Sequence, residues 1–340
     1  MKMPKSIEVV RSSAKGLSSL SQVSAEAIVA SLSKRYENVF LTVIDTVSDL
    51  DALIARAPGF VFIGMMYIND ASHPTKRIWL SERLEQAGIP YTGSARPAHE
   101  LGLHKDKAKQ RVAVCGLSTA RFQVIRSHFL QDQRWSDLQF PLFVKPLCGG
   151  GGHGVDEHSV VRTPEELRRK VASLHSELGV DVLVEEYLEG QEFSVAIIRD
   201  RASGGLTAMP LELVAPEDSN GNAMLSQRIK SLNQEQAVGV DDPVVHESIT
   251  SLALGVFQAL GARDYGRIDI RLDGKGIPHF LEANLIPSLI SGYGSFPKAY
   301  KLNQGVEYDD MIHNIALLGL TRTTNTKDDM VRAEVLSLSA

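Results

Sequence analysis

The chain has 340 residues, 43% of them hydrophobic, and a formal charge of −5 at neutral pH, so it is too long for one simple core and predicts two or three packed lobes. The acidic balance, with no basic run and no interleaving of aromatic and basic residues, argues against a nucleic-acid partner. Two cysteines, Cys115 and Cys148, exclude a disulfide framework, and no apolar run is long enough for a membrane span or a secretory signal; a cytoplasmic protein is expected.

Residues 6–93 alternate strand and helix. Ile7 to Val10 reads as a short strand, and Ala25, Ile28, Val29, Leu32 and Tyr36 recur at helical spacing. Val39 to Ile44 is a second strand, and Ser48 with Asp51 resembles a capping box opening a second helix. Phe60 to Met65 is a third strand, followed by a helix near 78–87 that Gly88 stops. This alternation predicts a parallel, doubly wound α/β domain over 1–95. A small α+β lobe is expected over 96–185: a helix at 103–115, strands at 122–125 and 142–144, and a helix from Pro164 to Leu178 with Thr163 as its cap. Strands at 182–184, 193–198 and 206–214 follow, then a loop at 217–236 and a helix at 243–260. The second lobe is expected over 186–325, with a peripheral tail at 326–340.

Three stretches carry chemistry. PLFVKPLCGGGGHG, at 141–154, ends a strand in Lys145 and places five glycines in the next nine residues. Such a loop, with Gly150, Gly151 and Gly152 at its centre, can bring amide N–H groups to phosphate oxygens while Lys145 supplies a point charge. Cys148 and His153 have no third partner nearby in sequence and read as loop residues. In VLVEEYLEGQE, at 182–192, Glu185, Glu186, Tyr187, Leu188 and Glu192 offer an apolar slot with acids at its edge, which suits a purine nucleoside. GRIDIRLDGKGIPHFLEANLIP, at 266–287, reads as a hairpin. Ile268, Ile270 and Leu272 point to one face and Arg267, Asp269 and Arg271 to the other; on the return strand Phe280, Glu282 and Asn284 share a face. If Asp269 lies opposite Glu282, hard oxygen ligands converge in a way that suits Mg²⁺ held with a nucleotide, and a one-residue slip destroys the arrangement.

Together these stretches resemble the ATP-grasp ligases, and within them the D-alanine:D-alanine ligase family. The resemblance runs from about Phe60 to Leu320 and includes IPYTGS at 89–94, HKDKAKQR at 104–111 and FVKP at 143–146. It implies an ATP-grasp fold behind an N-terminal Rossmann-like domain. Carried over by position, it makes Lys107 and Lys145 the lysines on the ATP phosphates, and puts adenine and ribose at Glu185, Glu186, Leu188 and Glu192. It makes Asp269, Glu282 and Asn284 the ligands of two Mg²⁺ ions, and Arg267 the arginine facing the acyl phosphate. It also implies a lysine near the γ-phosphate, for which Lys230 is the better match and Arg228 a rival. Small carboxylate and amine substrates follow, and a homodimer is implied by the resemblance without any residue that establishes it.

The amino-acid pockets depart from the family. Leu17 stands where the family has the glutamate for a substrate ammonium, and Met66 and Tyr67 replace its His-Gly. Gly151 replaces a serine. Ser288 follows Pro287 in place of the family's glycine, with Leu289 next to it, and the family's carboxylate-binding serine falls at Tyr293. The expectation is an ATP-grasp carboxylate–amine ligase with an altered substrate range. The alternatives are a true D-alanine:D-alanine ligase of cell-wall synthesis and a nucleotide-binding protein without catalysis.

Overall fold

Three apolar strands, β1 (Ile7–Arg11), β2 (Val39–Val43) and β3 (Phe60–Ile63), form a parallel sheet in the order β2-β1-β3, as the sequence predicts. They belong to a computed structural model that describes residues 3–14, 16–70, 73–126, 137–149, 152–217, 221–232 and 234–322. Helices α1 (Gln22–Ser33) and α2 (Val47–Ala55) connect the strands. The capping box of α2 is Thr46 with Asp49, not Ser48 with Asp51. Thr46 is still extended and accepts from the Asp49 amide, whereas Ser48 is already inside the helix. A hairpin, β4 (Tyr67–Asp70) and β5 (His73–Trp79), occupies part of the expected third helix, which shrinks to α3 (Leu80–Gln86).

The helix expected at 103–115 is two helices, α4 (Arg96–Leu103) and α5 (Lys105–Val114), broken where His104 turns extended. Ala98, Ala108 and Val112 on these helices pack with Phe193, Ile268 and Phe280 of the C-terminal sheet. Strands β6 (Phe122–Ile125), β7 (Leu142–Pro146), β8 (Val160–Val161) and β9 (Val182–Glu186) make an antiparallel sheet in the order β6-β9-β7-β8. Helix α6 (Pro164–Leu178) covers it through Leu167, Val171 and Leu174, with the expected Thr163 cap accepting from the Glu166 amide.

The second large sheet has the order β12-β11-β10-β13-β14, all pairs antiparallel. Its strands are β10 (Glu192–Arg199), β11 (Leu206–Val214), β12 (Gln236–Val238), β13 (Tyr265–Leu272) and β14 (Pro278–Asn284). A short helix, α7 (Gln227–Leu232), lies within the segment expected to be loop. Helix α8 (Pro243–Ala259) packs one face through Ile249, Ala253, Val256 and Phe257. Helices α9 (Ser295–Gln304) and α10 (Tyr308–Thr321) bridge the other end of the sheet to the N-terminal domain; Phe296, Ile312 and Ile315 share a core with Ile7, Phe60 and Tyr265.

Along β10 and β13 the alternation sorts chemistry from core. Glu192 pairs with Arg271 and Ser194 with Asp269 on the polar face, while Phe193, Val195, Ile268 and Ile270 are buried behind. In the β13–β14 hairpin Asp269 faces Glu282 and Arg267 faces Asn284. A bulge intervenes next: Ile270 pairs with Phe280, which leaves Leu281 as the extra residue. Phe280 therefore does not share the face of Glu282 as expected but lies wholly in the core, and Leu281 turns into the cleft with Glu282.

Candidate active site

The two antiparallel sheets face each other across a cleft with two compartments. The glycine-loop compartment, about 840 Å³, is walled by Phe143, Lys145, Tyr187, Leu188, Met224 and Leu281. The α9 compartment, about 1850 Å³, is walled by Leu17, Met66, Arg267, Ser288, Tyr293 and Lys298 among others. Lys105, Gly149, Leu225, Lys230, Asp269 and Glu282 line both, so the two spaces meet at the carboxylate pair.

Beneath the glycine-loop compartment lies a buried charge cluster. Lys145 Nζ is 2.5 Å from one Glu185 oxygen and Lys109 Nζ is 2.9 Å from the other. Lys109 also donates to the Thr119 hydroxyl at 2.9 Å and the Phe280 carbonyl at 3.1 Å, so one ammonium ties α5 to strands of both sheets. Burial alone raises the Glu185 carboxyl, yet the charges of Lys109 and Lys145 outweigh it and hold it at about 2. Glu185 is thus ionised and committed to lysines, at the floor of the compartment. Glu186 lies at the rim, where its Oε1 accepts from the Gln139 amide at 3.1 Å and from Arg121 at 3.3 Å. Tyr187 stacks on Phe143 with ring centroids 6.4 Å apart, and Leu188 completes an apolar wall. Arg271 reaches Glu192 at 3.1 Å, the Tyr187 hydroxyl at 3.2 Å and the Ala223 carbonyl at 2.9 Å. Burial raises the Glu192 carboxyl despite that arginine.

Gly149 and Gly152 have φ of +102° and +74°, backbone that a side chain rarely adopts, and both line this compartment. Gly150 and Gly151, expected at the centre of the loop, lie outside the described residues. Lys105 Nζ bonds the Gly149 carbonyl and lies 3.6 Å from Glu282. Lys107, expected on the phosphates, is exposed and lines neither compartment. The reason is helical phase: two residues along is roughly 200° round the helix, so Lys105 and Lys109 share the inner face and Lys107 points away. That four-residue spacing was readable in the sequence. Cys148 Sγ lies 3.5 Å from His104 Nδ1, and burial pushes its thiol up, so it is no ready nucleophile.

At the junction, Arg267 forks onto Asp269 with bonds of 2.9 and 2.7 Å, and the Ser194 hydroxyl donates to Asp269 at 2.9 Å. Glu282 keeps its carboxyl at about 2: burial opposes ionisation, and Lys105, Lys230, Lys145 and Arg267 override it. Asn284 lines the α9 compartment beside it. The two carboxylates face one another with a carboxamide alongside, a hard-oxygen set that fits a divalent cation with phosphate and water oxygens completing the shell. Among the described residues no group of three His, Cys, Asp or Glu side chains could hold a metal alone.

The 221–232 segment lies over the cleft, tied by Arg271 to the Ala223 carbonyl and by the Tyr293 hydroxyl to the Lys230 carbonyl at 2.7 Å. Lys230 lines both compartments, whereas Arg228 is exposed. Leu17, Ser288 and Tyr293 line the α9 compartment as expected. Leu289 does not: it is fully buried in the core that joins α9 and α10 to the N-terminal domain. Lys105, Lys109, Ser194, Arg271, Ser295 and Glu235 belong to the site without having been singled out for it; for Glu235 no sequence signal existed.

Residues 112–317 match the family model of the D-ala D-ala ligase C-terminus. The chain is 30% identical over 236 residues to an uncharacterized protein of Sinorhizobium fredii, covering 68% of this chain and 67% of that one. It is 30% identical to the D-alanine–D-alanine ligase of Cupriavidus metallidurans (68% of each chain) and 28% to that of Geobacter sulfurreducens (69% and 70%). Among solved structures, the Bacillus anthracis D-alanine–D-alanine ligase complexed with ATP aligns with a TM-score of 0.71 at 20% identity, covering 92% of this chain and 97% of that one. The VanG D-Ala:D-Ser ligase of Enterococcus faecalis aligns at 0.67 and 17%, covering 92% and 99%. The likeness to these structures makes the fold ATP-grasp.

Proposed function

The chain belongs to the D-alanine–D-alanine ligase family of ATP-grasp enzymes, which form C–N bonds, and on that premise we propose that it joins a small carboxylic acid to an amine through an acyl phosphate made at the expense of ATP. The observation that carries the reading is the junction: a compartment suited to a nucleotide and a second, larger one open onto the same pair of carboxylates and the same two lysines.

ATP would lie in the glycine-loop compartment, with its base against Phe143, Tyr187, Leu188 and Leu281 and its phosphates toward Lys105, Lys145 and Gly149. Asp269, Glu282 and Asn284 would hold two Mg²⁺ ions, which would offset the negative charge of the phosphates. A carboxylate is a poor electrophile until one oxygen carries a phosphoryl group; Lys145, Lys105 and Lys230 lower the cost of bringing these two anions together. Arg267, steadied by Asp269 and the Ser295 hydroxyl at 3.2 Å, points its guanidinium into the α9 compartment and faces the oxyanion that forms when the amine attacks. The segment carrying Met224, Leu225 and Lys230 keeps water from the acyl phosphate.

Substrate range is the point at which this chain diverges. Leu17 and Met66 present an apolar wall in the α9 compartment, which disfavours a charged ammonium on that side and supports an acid other than D-alanine, or D-alanine in another pose. A true D-alanine:D-alanine ligase is the second reading, favoured by relatives of that name at 28–30% identity. Purified protein with ATP, Mg²⁺ and single amino acids, scored for phosphate release, tests both; release with D-alanine alone selects the second. Asp269→Asn and Glu282→Gln are each expected to cut release at least about a hundredfold while the fold survives, and undiminished turnover would exclude them as ligands.

A further inference from the structure

Three acids line the α9 compartment: Asp269, Glu282 and Glu235. The first two are committed, Asp269 to Arg267 and Ser194, and Glu282 to the Lys105 side with Nζ at 3.6 Å. Glu235 precedes β12 and has no cation against it among the described residues. Its Oε1 lies 3.4 Å from the Tyr293 hydroxyl oxygen, while its Oε2 is buried with no hydrogen-bond partner. Tyr293 is itself fixed, since the same hydroxyl donates to the Lys230 carbonyl at 2.7 Å. Ser288 Oγ is a second buried polar atom without a partner, and it lines the same compartment.

A carboxylate oxygen shut away from water without a donor costs stability, and one that lines an open compartment can be completed by a ligand. The remainder of this compartment offers an ammonium no other uncommitted carboxylate. Leu17 and Met66 are apolar, and Lys105, Lys230, Arg267 and Lys298 repel a like charge. We propose that Glu235 receives the ammonium group of the amine substrate, through Oε2, and so selects amines that are protonated in solution. The inference rests on the ligase reading above and adds to it the residue that recognises the nucleophile.

The first experiment separates the two. Wild-type protein is given ATP, Mg²⁺, hydroxylamine and, in turn, D-alanine, glycine, β-alanine and acetate, and hydroxamate is measured. No hydroxamate with any acid overturns the ligase reading and this inference with it. With an acid that gives hydroxamate, D-alanine, D-alaninamide and ethanolamine are then titrated as amines against wild type and Glu235→Gln. The expected result is a rise of tenfold or more in the KM of every amine that reacts, by the same factor for D-alanine and D-alaninamide, with the KM for ATP moving less than threefold. Glu235→Asp, which keeps the charge, is expected to recover part of the loss. An unchanged amine KM, a loss confined to D-alanine, or an equal rise in the KM for ATP overturns the proposal. So does a failure of all three amines to react. The circular dichroism of both variants, matched to wild type, shows that the fold is kept; if Glu235→Gln does not fold, Glu235→Asp alone carries the comparison, and an unchanged amine KM there overturns the assignment.

Discussion

In the glycine-loop compartment Glu185 sits between Lys145 and Lys109 and Glu192 meets Arg271, so each carboxylate has a cation beside it before any ligand arrives, although Glu185 Oε2 and Arg271 Nε make no aligned hydrogen bond. In the α9 compartment Glu235 Oε2 and Ser288 Oγ are buried without partners, and Lys298 touches only the ring of Tyr293, 5.6 Å away, among the contacts described. One end of the cleft is preorganised by its own side chains, while the other is left to be completed by what binds there. A nucleotide is the same in every enzyme of this kind, so its compartment can be built in advance; substrate differs, and the polar groups that read it stay open.

The comparison can be broken most forcefully at Lys109. Lys109→Met leaves Glu185 buried with one lysine in place of two, and is expected to cost about 3–5 kcal/mol of stability in a urea or thermal melt. A loss below about 1 kcal/mol would mean that the paired end is no more set in advance than the open one. The acid limb tests the same cluster. Glu185 moves from an ordinary 4.5 to about 2 on folding, a depressed value. Its contribution of about 3 kcal/mol is therefore fully present above pH 4.5 and is lost as pH falls toward 2. Glu185→Gln is expected to flatten the decline of stability across that window, and an unaltered slope would remove the carboxylate from the account.

Next in size is the lysine pair on α5. Lys105→Ala is expected to weaken ATP binding by about tenfold to a hundredfold, and Lys107→Ala to leave it within about twofold, by calorimetric titration. A reversed order would put the wrong face of α5 toward the phosphates. The smallest effect lies at the open end. Leu17→Glu adds a carboxylate to an apolar wall, and is expected to lower the KM of an amino-acid substrate by about twofold to fivefold. No change would mean that the wall at residue 17 does not touch the substrate.

Much of this was legible in the chain itself. The alternation in 266–272 declared which residues face the cleft, because side chains on a strand change sides at every step whatever surrounds them. Thr163 and Pro164 marked the start of α6, since capping is satisfied within one turn. These are short-range matters, and a linear pattern carries them. Folding in three dimensions decided the rest. The bulge at Leu281 moved Phe280 into the core, and the packing of α5 chose Lys105 over Lys107. Leu289 went to a core shared with α9 and α10, and Glu235 was brought beneath Tyr293, 58 residues away. Each of those outcomes depends on which distant surface an element meets. Contacts between residues far apart in sequence leave no period or spacing behind, so they became visible only once the sheets, helices and cleft were assembled.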